Sequence, residues 1–140
     1  MEIVKQGTGA TASTARPASA ADIPRCVAMM RRFVAQTGRR GTFRADLVEQ
    51  TMRLLMEGGI LLVSGRGMIG GLIMPLWQTG EPVAHEFFWW GDARLLAAFE
   101  EAARDRGATA IHMAALEGRV ARHYERRGYR KLETIWLKEF

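Results

Sequence analysis

The chain is nearly without cysteine. Cys26 is its single thiol, so no intrachain disulfide can staple the fold, and a reducing compartment is expected. Long apolar runs are missing too. No stretch approaches the roughly 20 residues that cross a membrane, and the opening MEIVKQGTGATAST has neither the basic start nor the apolar core of a signal peptide. The expectation is a cytoplasmic protein with no membrane partner. The three histidines and the scattered carboxylates show no ligand spacing, so no metal site is implied. No glycine-rich nucleotide fingerprint follows a strand.

What is present fits an ordinary globular domain. Of 140 residues, 48% are apolar and 25% charged, enough to build one core without staples. Arginine supplies nearly all of the positive charge, and the net charge is +5. Such a surface suits a polyanionic ligand, and equally a plain solvated surface. Nucleic acid is an unfavoured partner: Gly38-Arg39-Arg40-Gly41-Thr42-Phe43-Arg44 is a short basic cluster with one aromatic.

Residues 1–13 are rich in glycine, threonine, serine and alanine. They read as an arm that cannot form a core and is available to a neighbouring subunit or assembly partner. Residues 14–140 read as a single domain. A short strand ends near Pro17. Ile23, Val27, Met30, Phe33 and Val34 recur at helical spacing, with Asp22 and Pro24 at the helix start. A second helix follows from about Arg44 to Met56, closed by Gly58-Gly59. Ile60–Ser64 and Met68–Leu76 form a hairpin, with Gly70-Gly71 marking a bulge or a close backbone approach.

Pro82–Trp90 reads as a central strand. Strict alternation sets Val83, His85, Phe87 and Trp89 on one face, and Ala84, Glu86, Phe88 and Trp90 on the other. Asp92–Arg106 is a helix with Leu95, Leu96, Phe99, Ala102 and Ala103 as its buried stripe. Thr109–Ala115 is a strand, Arg119–Arg127 a short helix, and Tyr129–Leu132 and Ile135–Phe140 are closing strands. The order is β-α-α-β-β-β-α-β-α-β-β: an α/β (α+β) fold with a mixed central sheet of six to seven strands flanked by about four helices. Trp77, Trp89, Trp90 and Trp136 are candidates for an exposed pairing patch in a homo-oligomer.

In this order ARPASAADIPRCVAMM, ILLVSGRGMIGGLIMPLW, LLAAFEEAARDRGATAIHM and VARHYERRGYRKLETIWLKEF resemble successive segments of the GNAT family of N-acetyltransferases. The resemblance covers residues 13 to 140. It implies a GNAT-like sheet and transfer of an acetyl group from acetyl-CoA to an amine whose identity is left open. It also implies that Tyr124, in His123-Tyr124-Glu125-Arg126-Arg127-Gly128-Tyr129, is the acid for the leaving thiolate. The competing role for Tyr124 is packing, with its hydroxyl capping the sheet. Glu86 is the candidate base, desolvated beside Phe88 and Trp90. An ion pair with an arginine is its competing role, and His85 is a rival base. Phe88, Trp89, Trp90, Gly91 and Arg94 occupy the cofactor-binding positions.

One segment departs from the family's pattern. A pyrophosphate loop of roughly eight to ten residues is expected after the central strand, yet Trp89-Trp90-Gly91-Asp92-Ala93-Arg94 runs almost directly into the helix. Asp92, as N-cap, would accept the free helix amides that a pyrophosphate needs. The member is therefore short and degenerate at its cofactor loop. The family resemblance, and no residue of this chain, also suggests small members encoded by bacterial viruses, some near virion genes. A second reading follows: a non-catalytic protein used for interaction or assembly, for example in a virion.

Overall fold

A computed structural model describes residues 14–38, 41–115 and 118–140. The expected arm at 1–13 and the arginines at 39 and 40 lie outside the described residues. Five strands form one sheet in the order β1-β2-β3-β4-β5: Arg16–Pro17, Ile60–Val63, Met68–Pro75, Pro82–Trp90 and Ala110–His112. The first four pair antiparallel, and β5 joins β4 in parallel. The helices are α1 (Ile23–Thr37), α2 (Ala45–Gly58), α3 (Arg94–Asp105) and α4 (Arg119–Arg126), with a 3-10 turn at Ala20–Asp22 ahead of α1.

Each helix turns an apolar face to the sheet, but not always the one its spacing predicts: in α1 Val27, Met30 and Phe33 are only partly buried, and in α2 Leu47 and Leu54 are exposed. Ile23, Cys26 and Met29 of α1 and Met52 and Leu55 of α2 pack on Leu61, Val63, Met68 and Phe88. On the other face Leu95, Leu96, Phe99 and Ala103 of α3 and Tyr124 of α4 pack on Ile60, Leu62, Ile69 and Ala84. The sheet is therefore covered on both faces, as the apolar run of β2 requires. Removing Phe99, whose side chain is fully buried, would leave a cavity costing about 3–5 kcal/mol.

Three sequence expectations change. The strand expected over Thr109–Ala115 pairs only over Ala110–His112. The closing strands at Tyr129–Leu132 and Ile135–Phe140 do not form; Tyr129 packs in the core with α3 and α4, and the residues after it are exposed. β5 offers an edge only three residues long, too short to template a six-residue strand. The four tryptophans do not share a patch: Trp77 and Trp136 are exposed, whereas Trp90 packs with α1 and Trp89 packs on the opposite face.

The face assignment of β4 changes as well. Gly70 of β3 pairs with Phe88, and Gly71 pairs with Glu86, so Phe87 is an extra residue in β4. A bulge of this kind reverses the side-chain parity of everything beyond it. Ala84 and Trp89 therefore share the α3/α4 face, and Phe88 and Trp90 share the α1/α2 face. The cause lies on the partner strand. A Cβ on Gly70 would meet the Phe88 ring at 2.6 Å, and one on Gly71 would meet the Phe99 ring at 2.9 Å and the His85 carbonyl oxygen. Only glycines leave space for the bulged strand to approach so closely.

Candidate functional site

The parallel pairing of β4 with β5 stops at His85 opposite His112. Beyond that rung β4 continues to Trp90, whereas β5 has ended. The two chains part, and the bulge at Phe87 lies at the start of the opening. Phe87 itself is 44% exposed.

Two side chains singled out from the sequence meet at this opening. Glu86 Oε1 accepts a hydrogen bond from the Ala114 backbone N–H at 3.1 Å. The Tyr124 hydroxyl donates to the Ala114 carbonyl oxygen at 3.0 Å. Burial first, then the charge of Glu86, pushes the Tyr124 hydroxyl above its ordinary value, so it keeps its proton at neutral pH. The hydroxyl thus caps the end of β5 through Ala114 and keeps its proton beside the Glu86 carboxylate.

The surroundings expected for Glu86 are corrected. The bulge separates it from Phe88 and Trp90, which face α1 and α2, and places it toward Tyr124. His85 pairs with Leu72, which packs on the α1/α2 face, so it points away from Tyr124. Its ring meets that of His112 edge-on, with centroids 5.0 Å apart. Burial first, and then His112, lowers the His85 pKa.

Trp89 ties the opening to the start of α3. Its ring stacks on Tyr124 at 5.8 Å and lies 5.7 Å from His123, while Nε1 donates to the Asp92 carbonyl at 3.0 Å. Only Gly91, Asp92 and Ala93 separate β4 from α3. The Asp92 side chain is 2% exposed. It accepts the Arg94 backbone N–H at 3.0 Å, and its two oxygens accept from Arg94 Nε at 3.0 Å and Nη2 at 2.8 Å. Burial pushes the Asp92 carboxyl up. Hydrogen bonds from Arg94 and Ser64 outweigh this and hold it below its ordinary value.

The expected cofactor positions thus divide. Trp89 lines the opening beside Tyr124, Phe88 and Trp90 belong to the α1/α2 core, and Arg94 is paired with Asp92. Gly91, at φ +87°, lies against the backbone of Arg66 and Gly67 in the β2–β3 turn. Two open grooves lie elsewhere: one of about 450 Å³ between α1 and α2, and one of about 310 Å³ beside Glu100 and Tyr129. Among the described residues no group of three or more His, Cys, Asp or Glu side chains could hold a metal. No described helix is long and apolar enough to cross a membrane.

Sequence reasoning gave no role to His123. Its Nε2 is buried without a partner among the described residues. Its position one residue before Tyr124, on an arginine-rich helix, was the available signal. The Phe87 bulge had a signal as well, in the facing Gly70-Gly71 pair.

No family model matches the sequence, and no curated protein is similar to it at a significant level. Solved structures do match in shape. An acetyltransferase from Trypanosoma brucei superposes with a TM-score of 0.69 at 14% identity, over 91% of this chain and 99% of that one. A predicted acetyltransferase from Clostridium acetobutylicum, crystallised with acetyl-CoA, gives 0.68 at 14% identity, over 91% and 95%. A transcriptional regulator from Bacillus halodurans gives 0.70 at 17% identity, over 91% and 99%. At these identities the likeness establishes the fold, and the chain has the mixed α+β architecture of the GNAT acetyltransferases.

Proposed function

We propose that the protein is an N-acyltransferase that uses acetyl-CoA, with Tyr124 and Glu86 as its proton-handling pair. The observation carrying this reading is the convergence of both side chains on Ala114, where β4 and β5 part. The parted strands suit a narrow thioester arm, because a bulge leaves backbone unpaired at the point where it would pass. The start of α3 does not suit the diphosphate, because Asp92 occupies the Arg94 amide and adds a buried carboxylate.

When bound, acetyl-CoA supplies an acetyl thioester in this gap. Glu86 would accept the proton that the acceptor ammonium must lose before its nitrogen can attack the thioester carbonyl, directly or through one water, after releasing the Ala114 amide. As the new carbon–nitrogen bond forms and the carbon–sulfur bond breaks, Tyr124 would give its hydroxyl proton to the leaving thiolate. Trp89, stacked on Tyr124, holds the phenol in place and excludes water from one side.

The test is calorimetric titration with acetyl-CoA, followed by acyl transfer to a panel of amines. Tyr124→Phe is expected to lower kcat by about 10²-fold or more with acetyl-CoA affinity unchanged. Glu86→Gln is expected to lower kcat with acetyl-CoA affinity unchanged. Absence of acetyl-CoA binding at millimolar ligand would sink the reading. The buried Asp92–Arg94 pair favours the alternative in that event: a non-catalytic interaction protein, such as a virion or assembly component, that keeps the fold.

A further inference from the structure

The start of α3 is closed to phosphate, yet a concentrated cationic surface lies across Trp89 from it. Arg119, Arg122 and Arg126 are spaced i, i+3, i+7 on α4, so they share one face, along a stripe of about 10 Å. All three are exposed, while Tyr124 on the opposite side of the helix is buried in the core. Among the described residues none of their side chains has an ion-pair or hydrogen-bond partner. The contrast with other arginines is sharp. Arg16, Arg44, Arg53, Arg94 and Arg127 each hold a carboxylate.

Three unpaired like charges on two turns of one helix repel one another, an arrangement that an anion relieves. A second observation points the same way. His123, flanked on this helix by Arg119 and Arg126, keeps Nε2 buried and unpartnered among the described residues, with its ring against Trp89. A buried polar nitrogen without a partner is costly, and a ligand oxygen would satisfy it. Trp89 in turn packs on Tyr124, so the stripe flanks the opening in which the thioester is placed.

We propose that Arg119, Arg122 and Arg126, with His123, form a phosphate-gripping surface on α4 that holds the diphosphate of acyl-CoA in place of the α3 N-terminus. Guanidinium groups suit this task because their forked donors match phosphate oxygens in pairs. The identification of the phosphate carrier as acyl-CoA rests on the acyltransferase reading; the phosphate chemistry does not.

The experiment titrates the full chain with acetyl-CoA, with acetylpantetheine, which lacks phosphate, and with inorganic tripolyphosphate. It is repeated on Arg119→Glu/Arg122→Glu and on Asp92→Asn, each checked for native circular dichroism. The expected result is that the double variant weakens acetyl-CoA and tripolyphosphate by about tenfold to a hundredfold, the loss of one or two charge-assisted hydrogen bonds. Acetylpantetheine should not distinguish it from the parent, and added salt should narrow the acetyl-CoA difference. Equal acetyl-CoA affinity in parent and double variant would overturn the arginine surface and leave the acyltransferase reading standing. A gain of tenfold or more in Asp92→Asn would overturn it too, by returning the phosphates to α3. Arginine-dependent tripolyphosphate binding without acetyl-CoA binding would support the surface and remove the acyltransferase. A parent chain that binds neither would overturn both.

Discussion

Asp22 illustrates how much of the local structure one carboxylate organises. It is 7% exposed and accepts from Arg16 at 2.8 and 3.0 Å, from the Ser19 backbone N–H at 2.8 Å and from the Ser19 hydroxyl at 3.2 Å. These bonds join β1 to the turn that opens α1. Hydrogen bonding from Arg16 is the largest influence. With Ser19 it overcomes burial and holds the carboxyl well below its ordinary 3.8. The folded pKa is thus below the unfolded one, so the contribution to stability is complete above about 4 and is lost as pH falls below that. Arg16 is half exposed, so the stability drawn from its ion pair is discounted for solvent screening; the Ser19 bonds to the same carboxylate add to it. Asp22→Ala should cost about 1–2 kcal/mol at neutral pH. Urea denaturation should show a lowered midpoint at unchanged slope, and the gap to the parent should close below pH ~4. A gap that persists in acid would assign the loss to packing.

At the scale of elements, helices and strands were legible where their cause is local. The apolar stripe of α3 follows from spacing, whereas α1 buries Cys26 and Met29 and α2 leaves Leu47 and Leu54 exposed; Gly70-Gly71 flagged a close approach on β3. Two things were not legible. The parity of β4 depends on an extra residue, Phe87, accommodated only because two glycines face it across the ladder; a reading along one strand cannot see its partner. The closing strands had the right composition, but a strand also needs an edge, and β5 supplies three residues. The Glu86–Tyr124 meeting was legible by residue, not by geometry, since Ala114 carries no chemical signal of its own. The β4–β5 pair also has a pH signature. His85 faces His112 at the last paired rung, and burial, with His112 second, sets its pKa below the ordinary 6.5. The folded state therefore binds fewer protons here, and stability should fall as pH drops through about 6.5. His85→Gln should flatten that fall between about pH 7.5 and about pH 5.5, measured by thermal midpoints. An identical slope in parent and variant would mean that His85 does not sense folding.

In the whole molecule the candidate site depends on a junction outside the Glu86–Tyr124 opening. The β2–β3 turn, the end of β4 and the start of α3 meet at Gly91, which takes φ +87° with the Arg66 carbonyl where a Cβ would stand. Gly67, from the same turn, packs in return on the backbone of Trp90 and Asp92. This interlock fixes Asp92, whose carbonyl holds Trp89 Nε1, and Trp89 stacks on Tyr124. The hairpin thus positions the phenol through three contacts. A side chain at Gly91 would meet backbone, which cannot yield as a flexible side chain does, and would sit in a left-handed conformation. Gly91→Ala should therefore cost about 2–4 kcal/mol and loosen the Trp89–Tyr124 stack. Gly80 is the control: it is also left-handed, at φ +79°, but a Cβ there meets nothing within 4 Å, so Gly80→Ala should cost only about 1 kcal/mol. Chemical denaturation of the two variants, with tryptophan fluorescence as the probe, separates the terms. Equal losses would mean that backbone conformation alone matters at Gly91. A larger loss at Gly91, together with a changed native spectrum, would show the interlock acting on the site.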